Sequence, residues 1–382
     1  MTLQSKNLHA KSKTNSGFDY ILLGAVIVLV AAGLTFVYSA GYYTAQKQTG
    51  NKYYYLFKQL TGAAIGAVSL VAAYFVPQKV LKKSALPLFC VSLVLLGLVF
   101  VPHIGIENYG AKRWIGVGGF SFQPSEIAKF AFVLFCAYYF DKNGDKSYKF
   151  WRFLPIIAAG GAVCVLIIAE PNMSVTVCVG IVMLIMLLLC GIKIKHFVLL
   201  LLPAVAAVPA LIFAEPYRIK RLLAFIDPWA SPKNEGYQLI QSLYALGGGG
   251  WFGVGLFNSR QKYSFLPFAE SDFIFSVIGE ETGLFGCLVV FALYLIVIWR
   301  GIRIAVNADN KFDTILAGGV TAVIGVQTAI NFAVVTGLIP PTGIPLPFVS
   351  YGGTSLVVFM ASVGLLFNAA KRKTSILEFG RF

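Results

Sequence analysis

The chain has 382 residues, of which 58% are hydrophobic and 12% are charged, and its mean hydropathy is +0.77. A soluble domain is about half apolar and about one quarter charged, so this composition excludes an ordinary soluble protein and indicates an integral membrane protein. The net charge of +15 would suit nucleic-acid binding, but most basic residues lie in short loops between apolar runs, which is typical of membrane topology. We therefore expect no nucleic-acid partner.

The six cysteines all lie within apolar runs and show neither CxxC nor metal-ligand spacing. They are predicted to be small buried apolar side chains. No cleavable signal peptide is recognisable, because the segment before the first apolar run is polar and that run is long enough to span a bilayer.

The apolar runs predict an all-α fold, a polytopic membrane helical bundle of about ten transmembrane helices. Residues 1–18 and 371–382 are predicted to be cytoplasmic tails, and residues 19–370 a membrane domain with one large extracytoplasmic loop at 215–271. The predicted spans are 19–40, 55–77, 84–102, 123–140, 154–170, 172–190, 196–214, 272–298, 314–338 and 346–370.

The direction of the spans follows from the basic loops. Basic residues flank the run 154–190 on both sides, so an even number of crossings lies between them, and the break at Glu170-Pro171-Asn172 is predicted to be a tight turn between two spans. With that turn, most basic loops fall on one side, which is assigned to the cytoplasm together with both termini. The residues on that side include Lys79, Lys82, Lys83, Lys142, Lys146, Lys149, Arg152, Lys193, Lys195, Arg300, Arg303 and Lys371.

The long loop on the opposite side is predicted to contain two short helices. Residues 217–226 place Arg218 and Arg221 three apart among apolar side chains, which is typical of a short basic helix in the headgroup layer, and Asp227-Pro228-Trp229 ends it. Residues 236–246 predict a second short amphipathic helix, which a glycine-rich stretch follows.

Asp272 is the most informative residue, because a carboxylate at the edge of a membrane span costs solvation energy and usually has a partner or a task. Other ionisable residues fall on the same predicted outer side. They are Lys112, Arg113, Glu126, Lys129, Glu170, Arg218, Lys220, Arg221, Arg260 and Lys262, with Glu280 and Glu281 deeper in the eighth span.

Each of these groups also has a purely structural interpretation. Glu126 and Lys129, three residues apart, could be a buried ion pair that fixes helix packing. Glu170 could accept hydrogen bonds at its turn, and Glu280 and Glu281 could bond to neighbouring helices. The basic loop residues could face lipid headgroups. The residues alone therefore indicate a mixed-charge site suited to an anionic, lipid-anchored substrate, and a transporter fits that pattern almost as well as an enzyme.

Four stretches of the sequence carry a family resemblance. They are 112–129 with KRWI and FQPSEIAK, 169–172 (AEPN), 222–281 with DPW, GYQ, GGWFGVG and DFIF, and 347–355 (PFVSYGGTS). These stretches resemble the SEDS family (shape, elongation, division and sporulation) of bacterial membrane proteins, and the likeness covers the whole membrane region. Within the family, residues 258–262 and 347–348 are more similar to the division branch or its sporulation relatives than to the elongation branch. One departure is that residues 268–271 read FAES, where the family has a sequence such as Glu-Ala-His-Thr.

The resemblance implies a peptidoglycan glycosyltransferase that polymerises lipid II in the bacterial cytoplasmic (inner) membrane. It implies as partners lipid II, undecaprenyl-pyrophosphate-linked glycan, a class B penicillin-binding protein and other divisome proteins. The family's key acid matches Asp272, its QPSExxK pair matches Glu126 and Lys129, and its Arg-Trp-Ile arginine matches Arg113. A lipid II flippase and a non-catalytic divisome scaffold remain the alternatives.

On this interpretation Asp272 is the catalytic general base, and desolvation at the membrane edge is expected to raise its pKa. Glu126 would hold Lys129 in place. A divalent cation, Mg²⁺ or Mn²⁺, is a candidate cofactor, with Asp272 a candidate ligand, and no organic cofactor is expected. The predicted substrate-binding residues are Arg113, Glu126, Lys129, Arg218, Lys220, Arg260 and Lys262.

Overall fold

Helices account for most of the computed structural model, which describes residues 18–108, 111–117, 120–143 and 150–379. The predicted spans coincide with α1–α7 and α10–α12, and the two helices predicted in the long loop are α8 and α9. The helices are α1 Tyr20–Thr49, α2 Tyr54–Phe75, α3 Gln78–Leu98, α4 Pro124–Asn143, α5 Leu154–Ala169, α6 Met173–Leu189, α7 Ile194–Phe213, α8 Pro216–Ile226, α9 Tyr237–Gly249, α10 Ile274–Val306, α11 Lys311–Val335 and α12 Gly353–Phe379.

Within the described residues, seven helices are long and apolar enough to cross a membrane, namely α1, α2, α3, α7, α10, α11 and α12. Helices α5 and α6 are also apolar but have only 16 and 17 residues. The all-α, polytopic membrane fold is thereby confirmed. The number of crossings and their direction stay predictions.

Local signals set several helix ends. The Asp19 side chain accepts a hydrogen bond from the Leu22 amide at 3.1 Å and begins α1, and Gly50 ends it with a φ of 72°. Helix α5 ends before Glu170, and the Asn172 side chain accepts from the Val175 amide at 3.4 Å to begin α6. The helix break predicted around Pro171 is therefore present.

Helix α11 lies at the centre of the bundle, packed against α4, α6, α10 and α12, while α12 packs most extensively against α2. Small residues allow the α2–α12 approach. A Cβ added to Gly364 would lie 2.3 Å from the Leu70 carbonyl oxygen, and one added to Gly66 would lie 2.5 Å from the Met360 sulfur. Helix α7 has no buried residue and packs on α6 and α8 at the edge of the bundle.

Ion pairs join helix ends at the face predicted to be cytoplasmic. Arg300 near the end of α10 binds Asp19 at the start of α1 at 2.7 Å, and Lys82 near the start of α3 binds Asp141 near the end of α4 at 2.6 Å. These contacts place those helix ends on one side of the bundle, as the predicted alternation of spans requires. Residues 1–17 of the predicted tail 1–18 and the loop residues Lys146 and Lys149 lie outside the described residues. Residues 371–382 were predicted to be a tail, but α12 continues as a helix to Phe379.

A small antiparallel sheet before α4 was not predicted from the sequence. It is formed by β1 Gly105–Asn108, β2 Ala111–Val117 and β3 Phe120–Phe122, in the order β1-β2-β3. In β2, Ala111 and Ile115 are buried and Arg113 is half-buried. The register with β1 shifts at this point, so Arg113 stands at a bulge without a paired residue in β1. The sheet holds Arg113 at the end of the bundle opposite to the Lys82–Asp141 ion pair.

Helix α10 is broken at Gly283, where φ is 67° and ψ is −167°. The glycine-rich segment after α9 fills the break, because only glycine permits so close an approach: a Cβ on Gly253 would lie 2.2 Å from the Glu281 carbonyl oxygen. The backbone groups freed by the break are thus paired inside the protein, as a membrane requires. The four bonds run from Val254 N to Glu280 O, Gly255 N to Glu281 O, Leu284 N to Gly250 O and Phe285 N to Trp251 O, at 2.9, 3.0, 2.9 and 3.1 Å.

Candidate active site

Asp272 lies in a tight turn that ends two residues before α10. The Phe268 carbonyl accepts the Ser271 amide at 3.1 Å and the Phe273 amide at 3.3 Å, which closes the turn around Asp272. The Asp272 carbonyl accepts a hydrogen bond from the Asn331 side chain of α11 at 2.9 Å, so the turn is held to the centre of the bundle. These bonds use backbone groups of the turn and do not involve the Asp272 carboxyl.

The Asp272 carboxyl is half-buried and reachable on one side. That side is formed by exposed Gly343, where an added Cβ would lie 3.2 Å from Asp272 Oδ2. Burial, and after it the negative charge of Glu270, raise the pKa of Asp272 to about 7 against the opposing effect of Arg113 and Arg221. A carboxyl with a pKa near the working pH is suited to accept a proton during a reaction.

Two arginines from distant parts of the chain meet beside this carboxyl. Arg113 donates to the Pro171 carbonyl at 2.5 Å and to the Glu170 carbonyl at 3.4 Å. Arg221 of α8 donates to the Pro341 carbonyl at 3.2 Å. Burial lowers the pKa of Arg113, and the positive charge of Arg221 lowers it further, against the opposing effect of Asp272. Two like charges close enough to repel form a site that a bound anion would stabilise.

Glu170 is buried at the α5–α6 turn, and within the described part of the chain neither of its carboxyl oxygens has a hydrogen-bond partner. The prediction that its side chain accepts hydrogen bonds at this turn is therefore wrong. Burial raises the pKa of Glu170 to about 8, and Arg113 opposes that shift. The observed contribution of Glu170 to the site is to orient Arg113 through its backbone carbonyl.

The predicted pair Glu126 and Lys129 is present and fully buried. Lys129 Nζ lies 2.8 Å from Glu126 Oε1 and also donates to Gln327 of α11. Glu126 Oε2 accepts from the Ser355 hydroxyl of α12 at 3.2 Å. Gln327 in turn donates to the Pro345 carbonyl at 2.9 Å, so the pair fixes the segment that follows Gly343. This ties α4, α11 and α12 to one wall of the site.

Lys262 and Arg260 are not brought to Asp272. Lys262 is buried and binds Glu281 at 3.1 Å and the Ser39 hydroxyl of α1 at 3.2 Å, roughly 12 Å below Asp272 at the rise of a helix. The Arg260 side chain is exposed, and its amide donates to Glu280 at 2.9 Å. Both carboxylates therefore anchor this loop to α10. The predicted hydrogen bond to a neighbouring helix is present for Glu281, which accepts from Ser39 of α1, whereas Glu280 accepts from the loop.

Arg218 and Lys220 lie on α8 with different environments. Arg218 donates to the Leu211 carbonyl at 2.7 Å and ties α8 to the end of α7, while the Lys220 side chain is exposed. The arginine of α8 that reaches the site is Arg221. Among the described residues there is no group of three or more His, Cys, Asp or Glu side chains that could hold a metal ion.

Arg221 and the amides Gln327 and Asn331 contribute to the site although the sequence predicted no site role for them. Asn331 donates to the carbonyls of both Asp272 and Ile344, at 2.9 and 2.8 Å, and so joins the two segments that border the carboxyl. The sequence did contain a sign of this role. Gln327 and Asn331 lie four residues apart in an apolar span, so they share one helical face, and burying two amides without hydrogen-bond partners would be costly.

A helical membrane bundle with an acid and two arginines converging at one end matches a known family. The chain belongs to the FtsW/RodA/SpoVE family of cell cycle proteins, whose model matches residues 20–375. This confirms the resemblance found in the sequence.

Named relatives match almost the whole chain. A protein of a Geobacter species named "Probable peptidoglycan glycosyltransferase FtsW" is 41% identical, over 93% of this chain and 97% of that protein. "Stage V sporulation protein E" of Bacillus subtilis is 38% identical, over 92% of this chain and 97% of its own length.

Solved structures agree with the fold. A chain described under "Structural coordination of polymerization and crosslinking by a peptidoglycan synthase complex" is 27% identical with a TM-score of 0.78, covering 93% of this chain and 98% of that one. The rod shape determining protein RodA of Thermus thermophilus has a TM-score of 0.69 at 24% identity, over 93% and 97% of the two chains, and this likeness concerns the fold alone.

Proposed function

We propose that this protein is a peptidoglycan glycosyltransferase that polymerises lipid II at the outer face of the bacterial cytoplasmic membrane during cell division. The observation that carries the proposal is the half-buried Asp272 carboxyl, with a pKa raised to about 7, beside Arg113 and Arg221 at one end of a membrane bundle. The names of the relatives supply the substrate class and the reaction.

The reaction is an inverting sugar transfer. The 4-hydroxyl of the acceptor N-acetylglucosamine attacks the anomeric carbon of the donor strand, and Asp272 accepts the hydroxyl proton. A new glycosidic C–O bond forms while the C–O bond to undecaprenyl pyrophosphate breaks, and its electron pair leaves on the pyrophosphate oxygen. A carboxyl with a pKa near neutrality is ionised often enough to accept the proton and basic enough to assist the attack.

The leaving pyrophosphate gains negative charge in the transition state, and Arg113 and Arg221 are placed to stabilise it. Both guanidinium groups are already fixed by backbone carbonyls, so little reorganisation accompanies charge development. The anion also relieves the repulsion between the two arginines. Lys129 acts indirectly, because its bonds to Glu126 and Gln327 position the segment at Pro345.

A divalent cation is a further element of the proposal. Mg²⁺ commonly binds through one or two carboxylates and substrate phosphates, with water completing its shell. Asp272 and Glu270 interact electrostatically and would be the protein's ligands, so the absence of a larger cluster among the described residues fits such a site. When bound, the cation would neutralise charge on the pyrophosphate.

A class B penicillin-binding protein and other divisome proteins are the proposed partners. A related chain, 27% identical, comes from a structure described as a peptidoglycan synthase complex that coordinates polymerization and crosslinking. A polymerase that releases glycan at the outer face of the cytoplasmic membrane needs a crosslinking enzyme on the same side, and a transpeptidase is such an enzyme.

Incubation of the purified protein with lipid II tests the proposal, with gel separation of glycan products and a parallel vesicle assay of lipid II translocation. Polymer formation supports the glycosyltransferase. Translocation without polymer would instead establish a flippase, and neither activity, with or without the transpeptidase, would leave a scaffold.

A further inference from the structure

A cavity of about 330 Å³ lies at the outer end of the bundle, between α8, the start of α9 and the turn that carries Asp272. Its volume is at the lower end of the range of small-molecule sites, about 300–1,000 Å³. The side chains that define its chemistry are Tyr217, Arg221, Glu235, Tyr237, Gln238 and Phe268.

This cavity shares two of its lining residues with the surroundings of Asp272, which does not itself line it. Phe268, in its wall, is the residue whose carbonyl closes the Asp272 turn. Arg221, also in the wall, donates to Pro341 and interacts electrostatically with Asp272. A group held in the cavity would therefore be bordered by residues that hold or interact with the proposed general base.

Phe268 has a φ of 56°, a left-handed conformation that residues with a bulky side chain rarely adopt. Such backbone conformations are retained at positions where the surrounding structure enforces them, often at binding and catalytic sites. Here the conformation places the Phe268 ring at the cavity while its carbonyl holds the turn. One residue thus couples the shape of the cavity to the position of Asp272.

The opposite wall is rigid because α9 is bonded to the bundle. The Ser242 hydroxyl lies 2.8 Å from the Ser276 hydroxyl of α10 and donates to the Val335 carbonyl of α11 at 2.8 Å. Tyr237 and Gln238, in the first turn of α9, are therefore presented from a fixed element. A fixed wall reduces the ordering cost of binding a ligand.

The chemistry of the lining suits a sugar. Aromatic rings such as those of Tyr217 and Tyr237 offer flat apolar faces for the C–H side of a pyranose, and their hydroxyls offer hydrogen bonds. The Gln238 amide can donate and accept, and the Glu235 carboxylate accepts, so together they can satisfy ring hydroxyls and an acetamido group. A few polar groups around apolar walls is the usual composition of a small-molecule site.

We infer that this cavity is the subsite for the acceptor N-acetylhexosamine, the sugar whose hydroxyl is deprotonated at Asp272. The inference rests on the proposed glycosyltransferase function and adds to it the place where the acceptor ring binds. Arg113 does not line the cavity and is left for the pyrophosphate of the donor, while Arg221 borders both substrates. Tyr237 and Gln238 belong to the acceptor cavity and have no proposed donor contact, so mutating them separates acceptor binding from donor binding.

A single-coupling assay tests this assignment. The donor is a lipid II whose terminal 4-hydroxyl is capped, and the acceptor is a labelled lipid II analogue with a phosphonate that cannot leave, so each reaction forms one bond. Tyr237→Ala is expected to raise the acceptor KM about tenfold, the loss of one aromatic contact, and to leave the donor KM within about twofold. Tyr237→Phe, which keeps the ring, should restore most of the acceptor affinity.

Tyr244→Ala is the matched control, because Tyr244 lies on the same helix, is exposed and does not line the cavity. It should change neither KM. Gln238→Ala gives a second variant if Tyr237→Ala has a lowered Tm. The inference is overturned if both variants leave the acceptor KM unchanged or raise the donor KM equally. Absence of any coupled product with the wild type would instead overturn the proposed function.

Discussion

Replacing Asp272 with asparagine should inactivate the protein and at the same time stabilise it. The folded state raises the pKa of Asp272 from 3.8 to about 7, chiefly through burial. Folding therefore favours the protonated carboxyl, and the cost of ionising it appears as the pH rises from about 4 and is complete above about 7. At about 1.36 kcal/mol for each pH unit, this cost is on the order of 4 kcal/mol. Asparagine has nearly the same shape and carries no charge, so it avoids that cost.

Thermal unfolding in detergent measures the effect, followed by the intrinsic fluorescence of the five tryptophans, which does not depend on thiol ionisation. At about pH 8, Asp272→Asn should raise the Tm by several degrees. At about pH 4 the folded-state carboxyl is protonated and the unfolded-state carboxyl is about half protonated, so the gain should shrink to below about 1 kcal/mol. Polymerisation should fall by about 100-fold or more, since the general base is lost.

Asp227→Asn is the matched control. The exposed Asp227 side chain accepts the Trp229 and Ala230 amides at 3.1 and 3.2 Å, and asparagine caps a helix about as well. This variant should keep wild-type activity and show no comparable pH-dependent gain in Tm. A Tm gain for Asp272→Asn that is equal at both pH values, or that is absent at about pH 8, would refute the reasoning about its pKa.

Four further outcomes are expected. Arg113→Gln removes a positive charge that lowers the pKa of Asp272. The rising limb of the plot of kcat/KM against pH should therefore move to higher pH, and an unchanged limb would argue against this interaction. Lys129→Met should lower the free energy of unfolding by about 3–5 kcal/mol, because it leaves Glu126 buried and unpaired. The double variant Lys129→Met with Glu126→Gln should recover most of that loss, and denaturation of both variants checks this. Gly253→Ala should lower the Tm strongly because its Cβ would meet a backbone carbonyl of α10 at 2.2 Å, while Gly248→Ala, with no atom within 4 Å, should be neutral or slightly stabilising. If a divalent cation takes part, EDTA should abolish polymerisation and Mg²⁺ or Mn²⁺ should restore it; activity that survives EDTA would contradict the cation.

Much of the helical architecture could be predicted because apolar runs of membrane length leave few alternatives. The break at Pro171 was predictable from the parity of basic loops, and α8 from two arginines three residues apart among apolar side chains. The sheet before α4 was not, because its strands have three to seven residues and stand in a connection without a long pattern. The break at Gly283 was also missed, since a single glycine in an apolar run carries no sign of the segment that fills it.

The candidate site was predictable in its residue types but only partly in its membership. Asp272 and Arg113 were named, and the structure brings them together. Arg260 and Lys262 were named because they lie near Asp272 in sequence, yet Lys262 is paired with Glu281 in the bundle. Which basic residue reaches a site depends on how a loop folds back, and residue type alone does not encode that.

The cavity beside the site depends on the same kind of folding. One part of the long loop supplies Tyr237 and Gln238, and another supplies Phe268. None of these side chains is charged, so the sequence alone gave no reason to select them. Their proximity follows from the anchoring of α9 through Ser242 and from the Asp272 turn. Such long-range contacts are invisible to periodicity and spacing.

The most direct measurement compares wild type and Asp272→Ala in complex with the partner transpeptidase, recording lipid II binding and glycan polymer from the same preparation. We predict that the variant binds lipid II within a few-fold of wild type and makes no detectable polymer. Near-normal polymer from Asp272→Ala would contradict the assignment of this carboxyl as the base, and with it the proposed mechanism.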